Sequence, residues 1–125
     1  MNSTFTTILR IILGLGLLIF GLNKFIGFMP MPELPEHAAN FMQSLKATGY
    51  VLQLVGVFEV FIGLLLIIKK WVPFALLLLA PITVNIVLFH LFLDLPGIGG
   101  AIVITVINVI LIYKYWKVYR PLFQY

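Results

Sequence analysis

Cysteine is missing altogether from this chain, and with it go disulfide exchange, thiolate nucleophiles and iron–sulfur ligation by the chain's own residues. Charge is nearly as scarce. Only 10% of the residues are Asp, Glu, Lys or Arg, where an average soluble chain carries about a quarter. With 62% hydrophobic residues and a mean hydropathy of +1.16, there is too little polar surface to wet a globule. A catalytic motif with nucleophile, base and orienter is also lacking, and Gly97, Gly99 and Gly100 have neither P-loop nor dinucleotide spacing, so they read as a closely packed helix start. Any redox chemistry would have to rest on a bound cofactor or a partner.

What is present is hydrocarbon in long runs. A helix needs roughly 20 apolar residues to cross a bilayer, and four such spans fit into the 125 residues: Phe5 to Phe28, Tyr50 to Ile68, Trp71 to Leu93 and Ile98 to Tyr119. The first run has no basic region before it and no small-residue cleavage pattern after it, so it reads as a retained helix and not a signal peptide. Lys69-Lys70 separates spans two and three, and Asp94-Leu95-Pro96-Gly97 separates three and four. Connections this short make consecutive helices antiparallel neighbours. The expected fold is all-α: one polytopic membrane four-helix bundle covering residues 1–125.

The loop from 29 to 49 opens with MPMPELP, too proline-rich for a helix, and continues as EHAANFMQSLKATG. In that second part Ala38, Phe41, Met42 and Leu45 recur at helical spacing, and Gly49 is a suitable stop. A short amphipathic helix on the outer face is expected, anchoring the loop in the interface in preference to gating.

The formal net charge is +4, but the basic residues sit at the ends of apolar runs instead of forming a patch, so nucleic acid is not the expected partner. Membrane topology accounts for them. Lys69, Lys70, Lys114, Lys117 and Arg120, with Arg10, fall on one side, and Lys24 and Lys46 on the other, which makes both termini cytoplasmic by the enrichment of Lys and Arg in cytoplasmic loops. Trp71, Tyr113, Tyr115, Trp116 and Tyr119 gather on the same side, at headgroup level.

Inside the spans a few polar residues stand out, because a charge at the bilayer centre costs roughly 2.5–3.5 kcal/mol on insertion scales. At about 1.5 Å per residue, Glu59, Asn85 and Asn108 lie at one level, roughly 13–15 Å from the outer boundary, with Lys24, His90 and Gln53 above them. Together they outline an outward-facing polar cleft. Arg10, Gly14, Leu17, Gly21 and Lys24 share one stripe of span one, and Gly56, Glu59 and Gly63 one stripe of span two, which turns the acid toward a helix contact.

Each of these has a plainer reading. Asn85 and Asn108 serve equally well as interhelical hydrogen-bonding glue, His90 as a satisfied interior group, and Arg10 as a snorkelling topological residue. Bis-His haem would need a second intramembrane histidine. Glu59 is the only acid within a span, with Lys24 or Arg10 as its available cation, and is a candidate for ligand contact or proton exchange. Pro81 frees the carbonyl of Leu77 and kinks span three, opening a pocket or only improving packing.

Arg10 with Gly14, the Phe20-Gly21-Leu22-Asn23-Lys24 end of span one, Glu59-x-x-x-Gly63-Leu64-Leu65-Leu66, and the proline-bearing third span PFALLLLAPITVNIVLFHLFLD together resemble the DoxX family of small four-helix bacterial membrane proteins. The resemblance implies an inner-membrane bundle associated with redox systems, as in a subunit of a thiosulfate:quinone oxidoreductase; eukaryotic relatives are chaperones or cargo receptors. Two functional expectations follow. One is a quinone- or small-lipophile-linked accessory subunit of a redox system, with Glu59, Asn85, Asn108, Lys24, His90 and Arg10 as ligand-binding candidates and no metal. The other is a non-enzymatic assembly or chaperone subunit for another membrane protein. Membrane lipid is an expected partner in both, a protein partner and a homo-oligomer stay open, and no GxxxG motif marks a dimer face.

Overall fold

A computed structural model describes residues 3–27 and 33–124. The protein is all helical among these residues: α1 (Thr4–Ile26), α2 (Glu36–Ala47), α3 (Val51–Ile68), α4 (Val72–Leu93), a 3-10 turn Leu95–Gly97, α5 (Ile98–Lys114), a short α6 (Trp116–Tyr119) and a closing 3-10 turn Arg120–Phe123. α1, α3, α4 and the stretch Leu95–Lys114 are each long and apolar enough to cross a membrane. Phe28, the expected end of span one, and residues 29–32 of the proline-rich loop lie outside the described residues. The fourth span is shorter than expected. Its helix stops at Lys114, and the chain turns at Tyr115 into α6.

Local chemistry sets the helix ends. Ser3 caps α1 by accepting the Thr6 N–H at 3.1 Å, and Gly27, at φ 69°, closes it by donating to Asn23 O at 2.8 Å, the left-handed stop that glycine adopts without a Cβ penalty. α2 ends just before Gly49, as its spacing predicts; the Thr48 hydroxyl donates to Leu45 O at 2.6 Å and accepts from Val51 N–H at 3.2 Å, joining the end of α2 to the start of α3.

α1 and α3 form the tightest pair, α4 and α5 a second, and α3–α4 and α1–α5 contacts close the ring. The α1–α3 contact is backbone against backbone. A Cβ placed on Gly14 would lie 3.0 Å from Gly63 O, and one on Gly63 only 2.7 Å from Gly14 O; Gly21 and Gly56 repeat the arrangement at 2.9 and 3.2 Å. Seven-residue spacing keeps both glycines of each helix on one face, so the small-residue stripes read from the sequence are the contact itself. Leu13, Leu17, Ile62, Leu66, Leu76, Leu79 and Leu111 fill the space between the two pairs.

Candidate functional site

Arg10 and Lys24, the two cations on the α1 stripe, go to opposite ends of the bundle. Arg10 is buried, at 6% exposure, and its guanidinium donates to Leu66 O and, at 3.4 Å, to Ile67 O. These carbonyls belong to the last turn of α3, where Lys69 in the left-handed conformation and Lys70 both donate to Leu65 O instead. A helix C-terminus leaves such carbonyls without partners and carries partial negative charge, so a cation there satisfies both.

Lys24 meets Glu59. Its Nζ lies 2.6 Å from Oε1, which has no further hydrogen-bond partner among the described residues. By the glycine register Lys24 stands opposite Gln53 and Glu59 opposite Leu18, an offset of roughly 9 Å along the axis. Helical side chains lean toward their own N-terminus. Because α1 and α3 are antiparallel, the lysine leans back into the bundle and the glutamate leans out, and the pair closes the gap. Of the two cations open to Glu59 from sequence, Lys24 is the partner.

Beside this pair lies a cavity of about 590 Å³ bounded by α2, α3, α4 and the end of α1. Its walls are apolar: Val51, Leu52 and Val55 from α3, and Ile82, Ile86, Phe89 and Leu93 from α4. α2 roofs it with Phe41, Met42 and Leu45, and Phe41 holds Phe89 at a ring separation of 5.7 Å. Polar atoms enter from Lys24, Glu59, Asn85 and His90. The carboxylate is only 3% exposed and the lysine side chain 25%, so the ammonium is the more accessible member of the pair. It carries three N–H donors, and the contact with Oε1 leaves the others uncommitted to that atom.

The expected layer of Glu59, Asn85 and Asn108 is divided. Asn108 is buried at 2% exposure and does not line the cavity; its amide donates to Leu76 O at 3.3 Å, and its Oδ1 lies 3.3 Å from the Thr83 hydroxyl. Asn85 is on the cavity wall, with its amide donating to Pro81 O of its own helix at 2.9 Å. The Thr83 hydroxyl also reaches Ala80 O at 2.8 Å. Side chains thus meet backbone carbonyls on either side of Pro81, within a helix that runs unbroken from Val72 to Leu93; the Asn108 contact falls on Leu76, one residue before the carbonyl of Leu77 that Pro81 leaves without its helical N–H. His90 lines the cavity and pairs at its other side with Asp94, Nδ1 to Oδ2 3.4 Å. Asp94 reads in the sequence only as a loop residue, and the His-x-x-x-Asp spacing, one helical turn, was the available signal.

A family model, DoxX, matches residues 5–91, which takes in α1 to α4 almost to its end, and with them Arg10, both glycine pairs, Lys24, Glu59 and the cavity wall except Leu93. The chain belongs to the DoxX family. Comparison with curated proteins and with solved structures returned no match. The matched region stops before α5, so Asn108 lies beyond it. In this DoxX protein the α1–α3 pair holds both ends of the polar system, and α5 adds the hydrogen bond that ties Leu76.

Proposed function

We propose that this DoxX protein is an accessory protein of a redox system in the bacterial inner membrane, with both termini cytoplasmic, and that its cavity holds a small lipophile whose head accepts hydrogen bonds, a quinone being the type. The observation that carries this reading is an apolar cavity of about 590 Å³ with a lysine ammonium at one end. That volume is within the roughly 300–1,000 Å³ of ligand pockets, which are typically apolar with a few placed polar groups. A quinone fits the residues present: its ring would lie among Val55, Ile82, Ile86 and Phe89, a carbonyl would face Lys24, and the Glu59 carboxylate would fix that ammonium in place. When bound, it would supply electron-carrying capacity that the side chains lack.

The test is mass spectrometry of lipid extracts from gently purified protein. The wild type should carry an enriched lipophile, and Ile86→Trp, which fills the cavity, should lose it while keeping helical content; Glu59→Gln should lower its retention. Identical extracts with no enriched species would overturn the reading and favour the assembly subunit, for which crosslinking in native membranes should capture a constant membrane-protein partner.

A further inference from the structure

The bundle is strongly polarised in charge. Lys69, Lys70, Lys114, Lys117 and Arg120 lie at the end where α3 passes into α4 and α5 terminates. None of the four acidic residues is there: Glu33 and Glu36 precede or open α2, Asp94 follows α4 at the opposite end, and Glu59 is paired inside. Arg10, the remaining cation of this half, is buried against the α3 carbonyls. The acidic side chains thus all lie away from Lys70, Lys114, Lys117 and Arg120.

The local structure gives that charge a shape. α5 stops at Lys114, and the chain bends at Tyr115 into α6 and the closing turn. Tyr119 pins the bend by donating to Pro73 O at 2.5 Å, and Trp116 stacks on Phe123 at 5.5 Å. A groove of about 390 Å³ results, lined by Tyr113, Lys114, Trp116 and Lys117. Tyr113 is 76% exposed and Trp116 45%, and such rings settle at the headgroup level of a bilayer.

We propose that the groove of Tyr113, Lys114, Trp116 and Lys117 holds the phosphate of an anionic phospholipid from the leaflet at that end. The two ammonium groups face the phosphate, the rings lie against the glycerol and upper acyl region, and Lys70 and Arg120 add to the attraction without lining the groove. This is independent of the cavity beside Glu59.

Native mass spectrometry of the full chain, purified in mild detergent and exchanged into vesicles of phosphatidylcholine with phosphatidylglycerol, tests it. Phosphatidylglycerol should be retained in preference to phosphatidylcholine. Lys114→Gln with Lys117→Gln should weaken that retention about 30-fold, roughly fivefold for each basic side chain near an anionic surface, while Lys114→Arg with Lys117→Arg restores it and Lys46→Gln, at the opposite end, leaves it unchanged. Excess inorganic phosphate should not displace the lipid. Equal retention of both lipids, an equal loss in Lys46→Gln, undiminished retention in the double glutamine variant, or displacement by inorganic phosphate would each overturn the assignment. Circular dichroism of every variant separates loss of the site from loss of the fold.

Discussion

Lys24 and Glu59 meet at 2.6 Å across two antiparallel helices, and they are buried unequally: the carboxylate is 3% exposed and the lysine side chain 25%. The inequality matters because the cost of breaking an ion pair is set by the charge left behind. An ammonium beside an open cavity can recruit water through its remaining donors. A carboxylate whose side chain is almost wholly covered has far less room to do so.

Lys24→Met should therefore destabilise the bundle by about 3 kcal/mol, the low end for removing one partner of a buried pair. Glu59→Gln, which strands only the better-solvated ammonium, should cost about 1–2 kcal/mol. Joining the two changes should cost less than their sum. Denaturant unfolding in detergent measures all three, and a larger loss for Glu59→Gln than for Lys24→Met would contradict the solvation argument.

The glycine contacts allow a sharper comparison. Gly63→Ala pushes a methyl to 2.7 Å from Gly14 O, backbone that cannot rotate away, whereas a Cβ on Gly16 meets nothing within 4 Å. Gly63→Ala is expected to lose about 2–3 kcal/mol as overpacking, and Gly16→Ala to be neutral or to gain up to about 1 kcal/mol from helix propensity. The same unfolding assay decides it; equal effects at the two sites would mean that α1 and α3 are not in backbone contact.

Those glycines show which part of the molecule was legible beforehand. Gly14 and Gly21, like Gly56 and Gly63, are seven residues apart, and a fixed period defines a face, so the contact and the inward turn of Glu59 could be read from spacing. Depth along a helix is a different kind of information. It placed Asn85 and Asn108 level with Glu59 but left the rotation of their helices open, and spans that are apolar all round offer no polar stripe to set it. Asn108 consequently turned out to face Thr83 and Leu76, away from the cavity. The roof was legible as a helix, but what α2 covers depends on Phe41 meeting Phe89, a contact between segments far apart in the chain.

Asn108 gives a test of that division between support and site. Asn108→Ala removes the hydrogen bonds to Leu76 O and the Thr83 hydroxyl in the α4–α5 contact, and interhelical hydrogen bonds in membranes average about 0.6 kcal/mol with a maximum near 1.7. A loss of about 1 kcal/mol is expected, with the lipophile content of lipid extracts unchanged. Disappearance of an enriched species in Asn108→Ala at intact helicity would place this amide in the binding site after all.

Tyr119 links the last helix to the rest through a bond whose strength depends on a proton. Its phenol is buried, at 4% exposure, and donates to Pro73 O; burial first, then the neighbouring Tyr115, pushes it from the ordinary 10.0 up to about 12. Below pH 10 the phenol keeps its proton whether the chain is folded or not, so the full contribution is present. Between pH 10 and about 12 the unfolded chain releases the proton while the folded chain retains it, and stability falls as pH rises, by at most about 2–3 kcal/mol across the window. Tyr119→Phe should lose about 1 kcal/mol at neutral pH and flatten that part of the alkaline decline, while lysines titrating in both proteins cancel in the difference. Unfolding curves for the two proteins at pH 8, 10 and 11.5 measure it. Parallel declines would show that Tyr119 gives up its proton as readily in the fold as out of it.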